Sequence, residues 1–426
     1  MNIEEKLKLI KRAQTQLATA PGQRKMTALK SLARLLSKRR SEILSANAED
    51  LRALDQNSTA AFRDRLKLDA DRLDQIEESL LQVAKLPDPV GEVVERKRLK
   101  NGLRVRRVRW PLGVILMIFE SRPNVAVESF ALAFKAGNAV ILKGGKESSK
   151  TTQAFYALIS EALQEEGFSP ECVWGVTDPD RSVTEALLKT ESLIDVVVPR
   201  GGSGLIDFVS RTTRIPIIKN DRGMCHVYVH EDADLKMAEK IVVNAKTQRP
   251  GVCNAMETLL VHEKVAQKFL PKLHQAMGAH AVQWFCDFES QEILSRAPAQ
   301  GSSLSSAANV MAAAKRSWDT EYLDLKINCR VVRTVDEAIE HIAQHGSRHS
   351  EAIVAKSKKV AERFLREVDA AAVYWNASTR FTDGFQLGLG GELGISTQKL
   401  HVRGPVGLKE LTSARWIIEG KGQVRT

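Results

Sequence analysis

Aromatic residues make up only 5% of this 426-residue chain, and cysteines number five, at positions 172, 225, 253, 286 and 329. An odd, scattered set without paired spacing excludes a disulfide framework and a cysteine-pair zinc site, so no metal is expected and any cysteine chemistry belongs to a free thiol. Long apolar runs are also missing: none approaches the roughly 20 residues of a bilayer span. Met1-Asn2-Ile3-Glu4-Glu5-Lys6 lacks the basic-then-apolar pattern of a secretory signal, so a cytoplasmic protein without membrane attachment is expected. Neither a GxGxxG fingerprint nor a Walker A loop occurs, and no internal repeat is visible. What is present is ordinary globular composition, 43% hydrophobic, over a length that calls for two or three domains.

Acidic residues are absent from one stretch. Arg96 to Trp110 carries eight basic residues and no acidic one, against a net charge of +11 for the whole chain. Asn101-Gly102 signals a tight turn, and Leu103, Val105, Val108 and Trp110 approximate a period of two with one slip at Arg106-Arg107. The segment is expected to be a β-hairpin with a basic face. No aromatic stacking platform or recognition helix accompanies it, so a solvated hairpin or subunit contact is expected ahead of nucleic-acid binding.

From Gly113 onward, apolar runs at Gly113 to Phe119, Asn138 to Leu142, Val173 to Val176 and Asp195 to Val198 alternate with helical stretches near residues 125–136, 149–166, 180–189 and 203–213. That alternation is a βαβ series, hence an α/β fold with a parallel sheet. Two of the strands run into glycine-rich turns before a helix, at Lys143-Gly144-Gly145-Lys146 and at Arg200-Gly201-Gly202-Ser203. Glycine lets the backbone approach a ligand and a helix N-terminus favours phosphate, so Lys143, Gly144, Gly145, Lys146, Gly201, Gly202 and Ser203 are candidate cofactor contacts. Lys143 and Lys146 suit a 2′-phosphate, and no acidic residue directly follows Leu142 to hold a ribose diol. NADP(H) is therefore expected in preference to NAD.

Cys253 stands apart from the other cysteines. Pro250 and Gly251 break regular structure before it, and the apolar run Met256 to Val261 follows as a strand, which sets the thiol on a loop between regular elements. Lys246 and Arg249 nearby would favour the thiolate, making Cys253 the candidate nucleophile. Cys225 is the rival, with His226 directly after it. Adjacent strand residues point to opposite faces, so His226 is badly placed as its base and strand packing is expected for both.

The blocks Pro111-Leu112-Gly113-Val114-Ile115, Phe119-Glu120-Ser121-Arg122-Pro123-Asn124-Val125 and Gly137-Asn138-Ala139-Val140-Ile141-Leu142-Lys143-Gly144-Gly145-Lys146-Glu147 resemble the gamma-glutamyl phosphate reductase family of the aldehyde dehydrogenase superfamily. So do Pro199-Arg200-Gly201-Gly202, Asn244 to Pro250 with Cys253-Asn254, Asn376 to Gly384, and Ser396 to His401 with Arg403-Gly404-Pro405. They occur in the family's order across nearly the whole chain. The resemblance implies an aldehyde dehydrogenase-like α/β fold: a Rossmann-type cofactor domain (1–89 and 112–231, with part of 378–400), an α/β catalytic domain carrying Cys253 (232–377), and a small β oligomerisation element (90–111 and 401–426). It implies reduction of L-glutamate 5-phosphate to the 5-semialdehyde with NADPH and release of phosphate, in proline biosynthesis. Cys253 would be the nucleophile, and the Asn124 amide with the Cys253 backbone N–H would be oxyanion donors. Arg122 and Arg380 would anchor the substrate's anions, Glu120 its ammonium, and Thr379 would be a further contact. Implied partners are a second copy or more of the chain, as dimer or tetramer, and an upstream glutamate 5-kinase. The alternatives are a same-fold reductase with another acyl phosphate or aldehyde, or a diverged binding protein.

Three places depart from the family pattern. Lys219 to Met224 puts bulky and charged residues where small ones are expected, Arg348 stands where glycine is usual, and Asn328-Cys329-Arg330 falls within an expected apolar strand. Ala297 to Ala314 is expected to be a surface excursion.

Overall fold

The computed structural model describes residues 2–55, 58, 60–219, 222–296 and 309–425. The chain divides into two compact units. One comprises Met1–Asn220 with Gly388–Gly394 and Pro405–Thr426, the other Asp221–Leu387 with Ile395–Gly404.

The first unit is built on four parallel strands in the order Val173–Gly175, Ala139–Lys143, Val114–Phe119, Val196–Arg200. Every residue of Val114–Phe119 and Ala139–Lys143 is buried, as a parallel sheet covered on both faces requires. The helices Asn124–Lys135, Ser149–Glu165 and Arg181–Leu188 make the three crossovers and Ser203–Thr212 follows the last strand, so the βαβ series stands as the sequence implies. Ahead of it, Ile3–Leu17 is fixed at its start by Asn2, which accepts from the first turn while Glu5 reaches back, and its Leu7 and Ile10 sink into a core with Val114, Leu116 and Ile141. Leu29, Leu32, Leu35 and Leu36, on the helix Gly22–Lys38, are all buried.

The basic segment is the hairpin Val93–Arg98 and Arg104–Pro111, and the strand Thr412–Glu419 pairs antiparallel with its second arm to give three strands. The pairing carries one irregularity: Val93 lies opposite Val108 but Glu95 opposite Arg107, so one extra residue bulges the first arm, while the second arm, which holds Arg106-Arg107, pairs with Thr412–Glu419 in unbroken register. Part of the charge is neutralised by acids remote in sequence or outside the segment: Arg106 pairs with Glu419 at 2.5 Å and Arg109 with Glu92 at 3.0 Å.

The second unit holds seven strands in the order Val310–Ala312, Gln283–Cys286, Lys326–Val332, Met256–His262, Cys225–Val229, Ser350–Val354, Ala372–Trp375, every neighbouring pair parallel. Cys225–Val229 falls inside the segment 112–231 that the sequence boundaries assign to the cofactor domain, yet it pairs in this second sheet. Two strands, Gln283–Cys286 and Val310–Ala312, are too short to show a period. Val310–Ala312 lies in the stretch expected to be a surface excursion, whereas residues 297–308 of that stretch fall outside those described.

Asn328-Cys329-Arg330 does not interrupt its strand. Asn328 is buried, donates to the Ser317 carbonyl at 2.9 Å and accepts from the Tyr322 hydroxyl at 2.8 Å, so polar partners replace the expected apolar packing. Arg348 has φ of +63°, the left-handed region in which a Cβ is strained, which is why glycine suits that position. Of the turn Lys219 to Met224, residues 220 and 221 lie outside those described.

Candidate active site

In the first unit the predicted residues gather at the C-terminal ends of three adjacent strands, where ligands of open α/β sheets bind. After Val114–Phe119, Glu120 is exposed, and its carboxylate accepts from the Gly202 N–H at 2.9 Å. A Cβ on Gly201 would stand 2.3 Å from that carboxylate, so the glycines make room for Glu120 itself and its charge lies on the N-terminus of Ser203–Thr212. Ser203 opens that helix at an exposed position. Asn124 opens the helix Asn124–Lys135, and its amide donates to Glu128 at 3.1 Å. Burial pushes the Glu128 carboxyl upward, against the Asn124 amide and the charges of Arg200 and Arg122. Arg122 is thus placed beside Glu128 and Asn124.

After Ala139–Lys143, Gly144 and Gly145 lead into the 3-10 turn Lys146–Ser148 and the helix Ser149–Glu165. Burial pulls the Lys143 ammonium below the ordinary lysine range, with Asp178 and Glu147 opposing, while Lys146 is exposed. Glu147 is engaged elsewhere, accepting from the Ser121 N–H at 2.7 Å. The helix start is not open to phosphate along its whole first turn. Buried Asp50 accepts from Lys150 N at 3.1 Å and from Thr151 N at 2.8 Å, a cap from a distant helix that no local pattern announces. Asp50 does not reach the Lys143 to Lys146 turn with these bonds, which go to Lys150 and Thr151.

In the second unit Cys253 sits, half-buried, on the loop between Leu235–Thr247 and Met256–His262; the other four cysteines are buried. The loop is held from several sides. Asn254 is buried and donates to the Thr382 carbonyl at 2.8 Å, and the Thr379 hydroxyl donates to the Asn254 carbonyl at 2.7 Å. Thr379, expected from the sequence as a substrate contact, is fully buried and braces this loop. Lys246 and Glu257 are both fully buried and form an ion pair at 3.0 Å that ties together the two ends of the loop. Burial drives the pair toward neutrality, pulling Lys246 down and pushing Glu257 up.

Arg380 donates through Nε to Gln248 Oε1 at 2.9 Å. Burial and then the neighbouring Arg249 lower its affinity for its proton, while Asp383 and the Cys253 thiol act the other way. The Arg380 guanidinium thus feels both the second guanidinium and the thiol, and a pair of cationic forks suits an anionic ligand. Cys225, buried, donates to the Cys253 carbonyl at 3.2 Å, and burial holds its thiol well above the ordinary range, so it is no competing nucleophile. His226 turns away to buried Glu351, at 2.9 Å from its Nδ1. Among the described residues no group of side chains could hold a metal ion, and no helix is long and apolar enough to cross a membrane.

Comparison with known proteins agrees with the α/β reading of the fold. Residues 1–287 match the Aldehyde dehydrogenase family. The chain is 47% identical to gamma-glutamyl phosphate reductase of Carboxydothermus hydrogenoformans over 100% of this chain and 99% of that one. Against the enzyme of the same name from Opitutus terrae it is 48% identical, covering 97% and 96%. The crystal structure of gamma-glutamyl phosphate reductase from Thermotoga maritima is similar with a TM-score of 0.93 at 43% identity, over 99% of each chain. An acetylating aldehyde dehydrogenase from Geobacillus thermoglucosidasius, 19% identical with a TM-score of 0.69 over 99% and 97%, shares the fold.

Proposed function

The chain belongs to the gamma-glutamyl phosphate reductases of the aldehyde dehydrogenase family, and from that premise we propose that it reduces L-glutamate 5-phosphate to L-glutamate 5-semialdehyde through a Cys253 thioester, with NADPH as reductant. It is an oxidoreductase, and its place in proline biosynthesis follows from its relatives. The observation that carries the mechanism is Cys253: half-buried, on a loop braced by Asn254, Thr379 and Lys246–Glu257, with Arg380 and Arg249 around it.

An acyl phosphate is an activated acyl donor. The Cys253 thiolate attacks the carbonyl carbon, a C–S bond forms, the C–O bond to phosphorus breaks, and phosphate departs without needing a proton. The Asn124 side-chain amide and the Cys253 N–H are the proposed donors to the oxyanion. Arg380 and Arg122 hold the substrate's anionic groups, and Glu120 its ammonium. No water has to attack, so none of the carboxylates need act as a hydrolytic base. The Lys143 to Lys146 turn fits a 2′-phosphorylated dinucleotide because two ammonium groups follow a buried parallel strand and the turn's carboxylate, Glu147, is bonded to Ser121. Gly201, Gly202 and Ser203 form the proposed second cofactor contact. When bound, the nicotinamide supplies the hydride that releases the acyl group from sulfur as the aldehyde.

The test is the reverse reaction. Protein with glutamate 5-semialdehyde, NADP and phosphate should generate NADPH absorbance only when phosphate is present, faster than with NAD, and Cys253→Ala should abolish it. Phosphate-independent turnover, or an active Cys253→Ala, would reject the thioester route. The three-stranded sheet is the proposed oligomer contact, and an association with glutamate 5-kinase is proposed on the family relation alone.

A further inference from the structure

Cys225 is the first residue of the strand Cys225–Val229, and its side chain is fully buried, yet the sulfur is not spent on apolar packing. Its Sγ donates to the backbone carbonyl of Cys253 at 3.2 Å. A thiol has one proton, so once that proton faces the carbonyl the sulfur can only accept from its other neighbour, His349 Nδ1 at 3.7 Å. His349 Nδ1 also lies 2.8 Å from Ser350 Oγ, which contacts Thr382 Oγ1 at 2.6 Å, and Thr382 offers its carbonyl to Asn254 at 2.8 Å. The peptide of Cys253 and Asn254 is therefore gripped by one connected buried network. Gly223 completes the grip sterically. A Cβ at that position would lie 1.6 Å from the Cys253 carbonyl oxygen, so the turn before the strand is shaped to receive that carbonyl.

The geometry points to Cys225 as a positioning residue for catalysis: its thiol fixes the Cys253 carbonyl, and with it the orientation of the Cys253 backbone and nucleophilic side chain. The inference rests on Cys253 being the nucleophile. Because burial raises the Cys225 thiol well above its ordinary range, it stays a donor across the working pH. A carbonyl that loses its partner in a buried setting relaxes toward another one, and a displacement of an ångström at a nucleophile costs far more in rate than in stability.

The experiment compares Cys225→Ala, Cys225→Ser and Cys253→Ala by forward kinetics and by the rate of iodoacetamide modification, which reports on Cys253 because the other cysteines are buried. Cys225→Ala should lower kcat about tenfold, leave KM for the nicotinamide cofactor unchanged and slow the alkylation, with the serine hydroxyl of Cys225→Ser restoring kcat to within about threefold. An alanine variant within twofold of the parent in both kcat and alkylation overturns the proposal, as does a folded serine variant as slow as the alanine one. Should Cys225→Ala fail to fold, the serine variant decides alone by the same threefold limit. An active Cys253→Ala would sink the thioester reading instead, which separates the two failures.

Discussion

Asn124 carries two amide hydrogens, and one of them goes to Glu128 a turn later at 3.1 Å. Glu128 therefore orients the amide, and the second N–H is the one proposed for the oxyanion. Removing a preorganised donor from an acyl-transfer site costs about 3 kcal/mol, so Asn124→Ala should reduce kcat roughly a hundredfold while the protein keeps its thermal midpoint. An undiminished rate would remove Asn124 from that role. His341 makes a different kind of prediction. It is buried among Trp318, His226 and His345, and Arg330 Nη1 lies 2.9 Å from its Nδ1. A guanidinium only donates, so Nδ1 must accept and the ring is neutral. Burial, then the charges of His226, Arg330 and His345, push its pKa down to about 2. The unfolded chain binds this proton below the ordinary 6.5 and the native state does not, so the stability His341 contributes is complete above pH 6.5 and lost as pH falls below it. Between pH 6.5 and 5 the loss is about 1.6 kcal/mol, less than the full 1.36 kcal/mol per unit because the unfolded imidazole is only half protonated at 6.5. Urea denaturation should show His341→Gln losing that much less than the parent over the same interval; parallel pH curves would contradict the assignment.

At the scale of elements, the loop bearing Cys253 is tied by Lys246, in the last turn of Leu235–Thr247, to Glu257, in the strand Met256–His262. Both side chains are fully buried, so removing one partner strands the other without solvent. Lys246→Met should destabilise the protein by about 3–5 kcal/mol in chemical denaturation, and adding Glu257→Leu should recover most of it. Failure of the double variant to recover would mean that something other than the stranded charge is at work. The two residues illustrate what was legible. The loop, its nucleophile and the strand after it follow from Pro250, Gly251 and the apolar run, because those signals are local. That Lys246 meets Glu257 in a buried ion pair is set by the helix's rotation against the sheet, which residue spacing does not reveal. The same holds for Asp50 capping Ser149–Glu165 and for Thr379 bracing Asn254, since each joins residues more than 90 apart in the chain. Strands with strong apolar runs were readable; Gln283–Cys286, four residues long, was not. Arg348 was recognisable as out of pattern, and its φ of +63° supplies the reason.

At the scale of the whole molecule, the basic hairpin is completed by a strand from the far end of the chain, leaving Thr412–Glu419 as one edge of a three-stranded sheet. Trp416 and Ile418 on that edge are 52% and 60% exposed, and Val94 on the opposite edge strand is 49% exposed. Large apolar side chains on an open edge are what favours the proposed subunit contact there, because an unprotected edge invites uncontrolled pairing. Nucleic acid is the poorer occupant: the cationic side chains are partly neutralised by Glu92 and Glu419, and Trp416 and Trp110 lie beneath Arg107 and Arg415 instead of presenting bare ring faces to bases. The proposed occupant is a second copy of this sheet. Trp416→Glu combined with Ile418→Glu places charge on the edge without touching Cys253 or the Lys143 turn. It should lower the mass measured by sedimentation equilibrium to that of a smaller species, while salt up to about 0.5 M, which screens charge but not apolar contact, should leave the parent's mass unchanged. A parent that is already a monomer, or a variant whose mass does not change, would show that this edge is not the subunit contact.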